Sequence, residues 1–208
     1  MFKHYTQSTI IIKEDDTIII IDPFKIKNKN LPTADTLLIS HPHKDHYSIE
    51  DINSICSTNT TIVSSCDIKT ISNCKEHIKL LPNQTIQLKN ISITATPAYN
   101  IDKQFHPKKN NWIGFYIQTP TTSYYFIGDS DNIQEFSNFS HADVAFIPIS
   151  GTYVMNVEEA VEATIHSIKP KLAIPCHFGE VVGTLEDAQK FVELVGEKGT
   201  DAKIIKEN

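Results

Sequence analysis

A chain of 208 residues is long enough to bury a sizeable core and is expected to form one domain, 1–208. It is 40% hydrophobic and 21% charged with a net charge of -6, which argues against a general nucleic-acid or anionic-membrane binder. The N-terminus lacks the apolar stretch of a signal peptide, no run approaches membrane-span length, and Cys56, Cys66, Cys74 and Cys176 form no CxxC pair, so a cytoplasmic protein without disulfides is expected.

The β-branched runs Thr9–Lys13 and Thr17–Asp22, joined by Glu14-Asp15-Asp16, predict a hairpin. A polar loop, 25–32, leads to the apolar strand Thr36–Ser40, which stops at His41-Pro42-His43-Lys44-Asp45-His46. Ser48, with Asp51 three residues on, caps a helix carrying Ile49, Ile52 and Ile55. A short strand at Thr61–Ser64 and a short helix from Asp67 to Ser72 follow. Ile86 and Leu88, then Ile91, Ile93 and Ala95, alternate about Lys89-Asn90 as a second hairpin. Trp112–Gln118 and Ser123–Gly128 make a third, and Asp143–Ile149 is another buried strand. Asn156 and Glu159 form a capping box for a helix with the stripe Val157, Ala160, Val161, Thr164, Ile165 and Ile168, ended by Pro170. Leu172–Cys176 is a strand, Thr184–Val195 a helix stopped at Gly196, and Lys203–Ile205 a last strand.

An internal echo runs through this order. Ile21-Asp22 precedes Ala34-Asp35 and a strand ending in Ser40; Gly128-Asp129 precedes Ala142-Asp143 and a strand ending in Ser150. The spacing suggests two related β-rich halves packed sheet against sheet, with helices outside.

The cluster from His41 to His46 offers three imidazoles and a carboxylate, the donors that a divalent metal takes. Asp129 ends one strand, after a glycine that permits a sharp turn, and His177 ends another. If those strands run in the same sense as Thr36–Ser40, then His41, His43, Asp45, His46, Asp129 and His177 converge on one sheet edge. Six such donors suit a two-metal site bridged by Asp129.

This order of motifs resembles the metallo-β-lactamase superfamily: HxHxDH at His41, His43, Asp45 and His46, a Gly-Asp strand end at Asp129, and a late His177. Ile21-Asp22-Pro23-Phe24, Phe126–Asp131, Pro148–Tyr153 and Ile174–His177 look closest to the small hydrolases related to ascorbate phosphate lactonase. The resemblance implies an α/β fold, an αββα sandwich of two mixed β-sheets packed face to face with helices on the outside. It places His41 and His43 on one metal, Asp45, His46 and His177 on the other, and Asp129 between them. One or two Zn2+ ions are implied, with Mn2+ or Fe2+ also suited. Asp22 matches a supporting carboxylate that orients a ligand histidine, or simply turns the chain before Pro23.

The chain departs from the family at Pro97-Ala98-Tyr99-Asn100, where Asn100 stands in place of the third histidine of the first metal. An amide oxygen is a poor substitute for imidazole on zinc. His106 either swings in to replace it or sits on the surface of a long loop. His4, His77, His141 and His166 read as surface residues, and Cys176 as a buried thiol pointing away.

The implied activity is hydrolysis of an ester, lactone or phosphodiester by metal-activated water, with Asp45 as the orienting carboxylate able to receive a proton. No GxSxG elbow or P-loop offers another chemistry. The loop Asn100–Asn111 is placed over the site, where Lys103, Lys108 and Lys109 would meet an anionic small-molecule substrate. Two alternatives are a non-catalytic or single-metal binding protein on this fold, and a di-iron redox protein. The second is disfavoured because His43 stands where those proteins carry a carboxylate. Neither substrate nor oligomeric state is legible in the sequence.

Overall fold

The computed structural model describes residues 1–26 and 30–205, so Lys27, Asn28 and Lys29 of the predicted polar loop lie outside the described residues. Six strands form the first sheet, in the order β1 (Phe2–Thr6), β2 (Thr9–Glu14), β3 (Thr17–Ile21), β4 (Thr36–Ile39), β5 (Thr61–Ser65), β6 (Glu76–Leu80). The second holds β7 (Thr85–Leu88), β8 (Ile91–Pro97), β9 (Ile113–Gln118), β10 (Ser123–Phe126), β11 (Val144–Pro148), β12 (Leu172–Cys176) and β13 (Asp201–Ala202), side by side in chain order. Each sheet is mixed. β1 to β3 pair antiparallel and β3 to β6 parallel; β7 to β10 pair antiparallel and β10 to β13 parallel.

Strand alternation sorts the apolar residues into three layers. Ile19, Ile21 and Leu38 meet Phe115, Phe126 and Phe146 between the sheets. Ile20, Leu37 and Ile39 face outward onto α1 (Ile49–Ile55), through its Ile52 and Ile55. Tyr125, Ala145 and Ile147 pack outward against α2 (Val157–Glu162), its π-helical continuation Ala163–Ile168, and α3 (Leu185–Glu197). Central parallel strands buried on both faces read as unbroken apolar runs, which explains Leu37-Leu38-Ile39 and Val144–Ile147. The result is the expected sandwich of two mixed sheets with helices outside.

Several predicted elements differ. Residues 67–72 form no helix: the chain turns after β5, and the Asp67 carboxylate accepts a hydrogen bond from Trp112 Nε1 at 2.8 Å. Both edge strands of the first sheet, β1 and β6, were hidden by short, mixed sequences carrying lysine, histidine and glutamate, as edges tend to be. α3 runs through Gly196 to Glu197, and the last strand is Asp201–Ala202 rather than Lys203–Ile205. His4 is buried, not on the surface; its Nε2–H donates to the Gln7 carbonyl at 2.8 Å and its ring packs on Phe178.

The echo has a structural counterpart. In each sheet an antiparallel hairpin, β2–β3 or β9–β10, is followed by a strand parallel to its second member. Asp22 and Asp129 therefore follow equivalent strands. Because β1, β3 and β4 run together, as do β8, β10, β11 and β12, the residues after them share one rim: Gln7, Asp22, His41, Asn100, Asp129, Ser150 and His177. Two backbone hydrogen bonds join the rims of the sheets, Ile113 N–H to Ser40 O at 3.4 Å and His177 N–H to Gln7 O at 2.6 Å. Sites in α/β sheets gather at such carboxyl ends. Among the described residues no helix is long and apolar enough to cross a membrane.

Candidate metal centre

Four imidazoles on this rim share one arrangement: the outer nitrogen is held by the protein, and Nε2 faces inward. His46 Nδ1–H donates to Asp22 Oδ2 at 2.7 Å. The Ser40 hydroxyl donates to that same oxygen at 2.5 Å, so its own oxygen accepts from His41 Nδ1–H at 2.9 Å. His177 Nδ1 lies 2.9 Å from Ser150 Oγ. His106 Nδ1–H donates to Asn100 Oδ1 at 3.1 Å. Fixing one ring nitrogen sets the tautomer and aims the other.

The inward atoms gather on Asp129. Its Oδ2 lies 3.0 Å from His177 Nε2, 3.3 Å from His46 Nε2, 3.3 Å from His106 Nε2 and 3.9 Å from His41 Nε2. Gly128, at φ +74°, lets β10 turn abruptly to deliver Asp129 there. Close packing of β9 on this turn requires Gly114, where a Cβ would stand 2.3 Å from the Ile127 carbonyl oxygen.

Charge balance at the rim is unusual. Burial works to raise the Asp129 carboxyl, but His177 and His46 outweigh it and hold it well below the usual carboxylate range. Burial likewise opposes ionisation of Asp45, yet His177 and His46, each with Nε2 3.5 Å from Asp45 Oδ2, keep it below its ordinary value. Burial lowers His177, and Asp129 more than reverses this, pushing it up to about 9. His46 is raised well above 6.5 against its burial by Asp129 and Asp22, whereas burial and the neighbouring His46 drive His41 well below it.

The donor set fits divalent cations. Nε2 of His46, Nε2 of His106 and Oδ1 of Asp129 are buried without a hydrogen-bond partner among the described residues. Inward nitrogens and a carboxylate oxygen left this way lack the satisfaction that buried polar atoms normally have, and a cation would supply it. Three groups could each hold an ion, with donors inside 4.8 Å of one another: His41/His43/His106, His41/His46/Asp129 and Asp45/His46/His177.

All six residues singled out by the motifs come together here, joined by His106. Asn100 does not face the cluster. Its amide oxygen accepts from both the backbone N–H and Nδ1–H of His106, and its NH2 donates to the Tyr153 carbonyl at 3.0 Å. The loop closes because Asn100 N–H donates to His106 O at 2.7 Å, which carries the imidazole back beside His41 and His43. Asp22 is buried and holds His46 directly and His41 through Ser40, rather than merely turning the chain.

Lys103 and Lys108 are already engaged: Lys103 Nζ lies 2.5 Å from Asp131 Oδ1, and Lys108 Nζ pairs with Glu135 at 2.9 Å and sits over the Tyr99 ring. A cavity of about 380 Å³ opens from the ligand cluster, and its walls include Lys44, Phe105, Tyr153 and Val181. Sequence reasoning missed four residues at the centre: Gln7, Ser40, Ser150 and Trp112. Both serines close the second strand of the echo, the one signal that could have found them. Trp112 stacks on His41 at 5.0 Å between ring centres and meets His43 and His106 edge-on.

This sandwich is shared by known proteins. The Beta-lactamase superfamily domain matches residues 2–177, and the chain belongs to that superfamily. Within it the chain belongs with the UPF0173 metal-dependent hydrolases: it is 30% identical over 195 residues to one from Thermoplasma acidophilum, covering 88% of this chain and 85% of the relative. A provisionally assigned metal-dependent hydrolase from Parabacteroides distasonis has the same fold, with a TM-score of 0.85 at 22% identity, covering 100% of this chain and 93% of that one. Igni18, a metallo hydrolase from Ignicoccus hospitalis, follows at 0.77 and 19% identity, covering 99% and 94%.

Proposed function

We propose that this protein is a hydrolase that holds two divalent cations, zinc being the first candidate, and directs water against an ester, lactone or phosphodiester bond of a small substrate. The observation that carries this reading is the convergence of seven donor residues, three of whose atoms are buried without a partner. His41, His43 and His106 would hold one ion, Asp45, His46 and His177 the other, with Asp129 shared. Bound there, such cations lower the pKa of water toward neutrality and polarise a carbonyl or phosphoryl oxygen.

The chain's own residues prepare the site. Asp22 aims His46 directly and His41 through Ser40, Ser150 faces the outer nitrogen of His177, and Asn100 aims His106. Asp45 lines the cavity with an ionised carboxylate, suited to accept a hydrogen bond from the attacking water. Lys44 stands in the cavity wall where an anionic substrate group would meet it, a role that the paired Lys103 and Lys108 are poorly placed to fill. Phe105, Tyr153 and Val181 leave an apolar flank for an uncharged part of the substrate. The motif resemblance to ascorbate phosphate lactonase puts lactones in the first panel of substrates.

The test is a His41→Ala/His43→Ala double variant, assayed for metal content and for turnover of p-nitrophenyl acetate, a γ-lactone and bis(p-nitrophenyl) phosphate. Metal and turnover should fall together. Turnover equal to wild type would overturn the proposal. Stoichiometric metal without turnover of any substrate in the wild type would favour a metal-binding protein instead.

A further inference from the structure

Gln7 occupies the turn between β1 and β2, where a long polar side chain ordinarily faces water. Here it is fully buried. Its Nε2 lies 3.1 Å from Asp45 Oδ2, to which it donates, and 3.1 Å from His177 Nε2. Its carbonyl accepts from His177 N–H at 2.6 Å and from His4 Nε2–H at 2.8 Å. Its Oε1 is buried without a partner among the described residues. One residue thus grips His177 by the main chain and faces both Asp45 and His177 with its amide.

Two features of this placement are unfavourable in isolation. The backbone of Gln7 is left-handed, at φ +49°, a conformation that a long side chain adopts at a cost and that glycine or asparagine fills more readily. Burying an amide oxygen without a partner is also destabilising. A turn needing only its shape would be better served by Asn or Gly. Residues held in such conformations concentrate at functional sites, and Asp22 and His177, at φ +44° and +57°, are held likewise.

We infer that Gln7 is a positioning residue of the metal centre, holding Asp45 and His177 in the geometry needed for the ion assigned to Asp45, His46 and His177. This rests on the two-metal reading above. Asp45 lies on the loop after β4 and His177 follows β12, so the two belong to different sheets. Gln7 spans that gap. Its donated hydrogen bond fixes the Asp45 carboxylate without placing a competing charge beside it. The His41/His43/His106 group contains no contact to Gln7 among those described, so its ion should not respond.

Gln7→Asn separates reach from shape. Asparagine tolerates positive φ and keeps the carbonyl contacts to His177 and His4, but its amide is one methylene too short for Asp45. Gln7→Met keeps the length and removes the donor. Zinc is titrated into metal-free wild type and both variants against a chromophoric chelator, with thermal unfolding of the metal-free proteins recorded alongside. Wild type should bind two equivalents. Each variant should bind one of them about 10- to 100-fold more weakly and the other unchanged, the size expected for loss of a residue supporting a metal ligand. Unchanged affinity for both equivalents in the folded Asn variant would overturn the inference. Equal weakening of both would do the same, since that marks general loosening. Fewer than two equivalents in wild type would overturn the two-metal reading itself, and the inference with it.

Discussion

Asp22 illustrates how much of the centre hangs on residues that would not themselves hold an ion. One buried carboxylate accepts from Ser40 N–H at 2.8 Å, from the Ser40 hydroxyl at 2.5 Å and from His46 Nδ1–H at 2.7 Å. Burial raises its carboxyl above the ordinary value, and His46 and Ser40 pull the other way. Asp22→Asn preserves shape but removes the charge that favours an Nδ1-protonated His46. Zinc affinity should fall by about 10- to 100-fold, read by chelator competition. Affinity equal to wild type would show that Asp22 merely ends its strand. The sequence set that plain turn beside the supporting role, and burial decides between them. It also set Asn100 against His106, whereas the fold uses both. No spacing rule reveals that a loop will close on itself through Asn100 N–H and His106 O.

At the scale of elements, the parallel half of the second sheet is clasped at the end opposite the centre by Asp143. Its carboxylate accepts from Ser123 N–H at 2.7 Å and Ser123 Oγ–H at 2.8 Å, and pairs with Lys171 at 2.7 Å, tying together the starts of β10, β11 and β12. Hydrogen bonds from Lys171 and Ser123 pull its carboxyl from 3.8 to about 2. A depressed carboxylate contributes stability above its unfolded pKa and loses it as pH falls through the folded value. Wild type should therefore weaken between about pH 4 and about pH 2 more steeply than Asp143→Asn, which should be less stable at neutral pH. Urea midpoints across that range provide the measurement, and parallel pH curves would refute the clasp.

Legibility at this scale followed burial. Central strands and hairpins stood out because alternation and apolar runs are imposed by packing on one or both faces. The edges β1 and β6 carry too little buried surface to mark the sequence. The predicted helix after β5 failed for a different reason: Asp67 is bound to Trp112, which itself stacks on His41.

Across the whole molecule, the candidate ligands are divided between the sheets. His41, His43, Asp45 and His46 follow β4 of the first, whereas His106, Asp129 and His177 belong to loops of the second. The inter-sheet core of Phe115, Phe126 and Phe146 already holds the layers together. Cations spanning the rim would add a second tie, and ligand binding to the native state stabilises by about 2.7 kcal/mol at 100 times the dissociation constant. Chelation should therefore lower the melting temperature and leave the protein folded. A melting temperature indifferent to EDTA and to restored zinc would count against ions held between the sheets. The convergence behind this expectation needed the strand directions, which one sequence could supply only through resemblance.

Trp112 is the chain's single tryptophan, and it lies against His41, His43 and His106. The indole emission of the entire protein therefore originates at the candidate metal centre, with no second tryptophan to dilute it. Any change in those three imidazoles, whether loss of a proton or gain of an ion, alters the immediate surroundings of the emitter. If the cluster takes up ions as proposed, the protein carries its own optical gauge of loading.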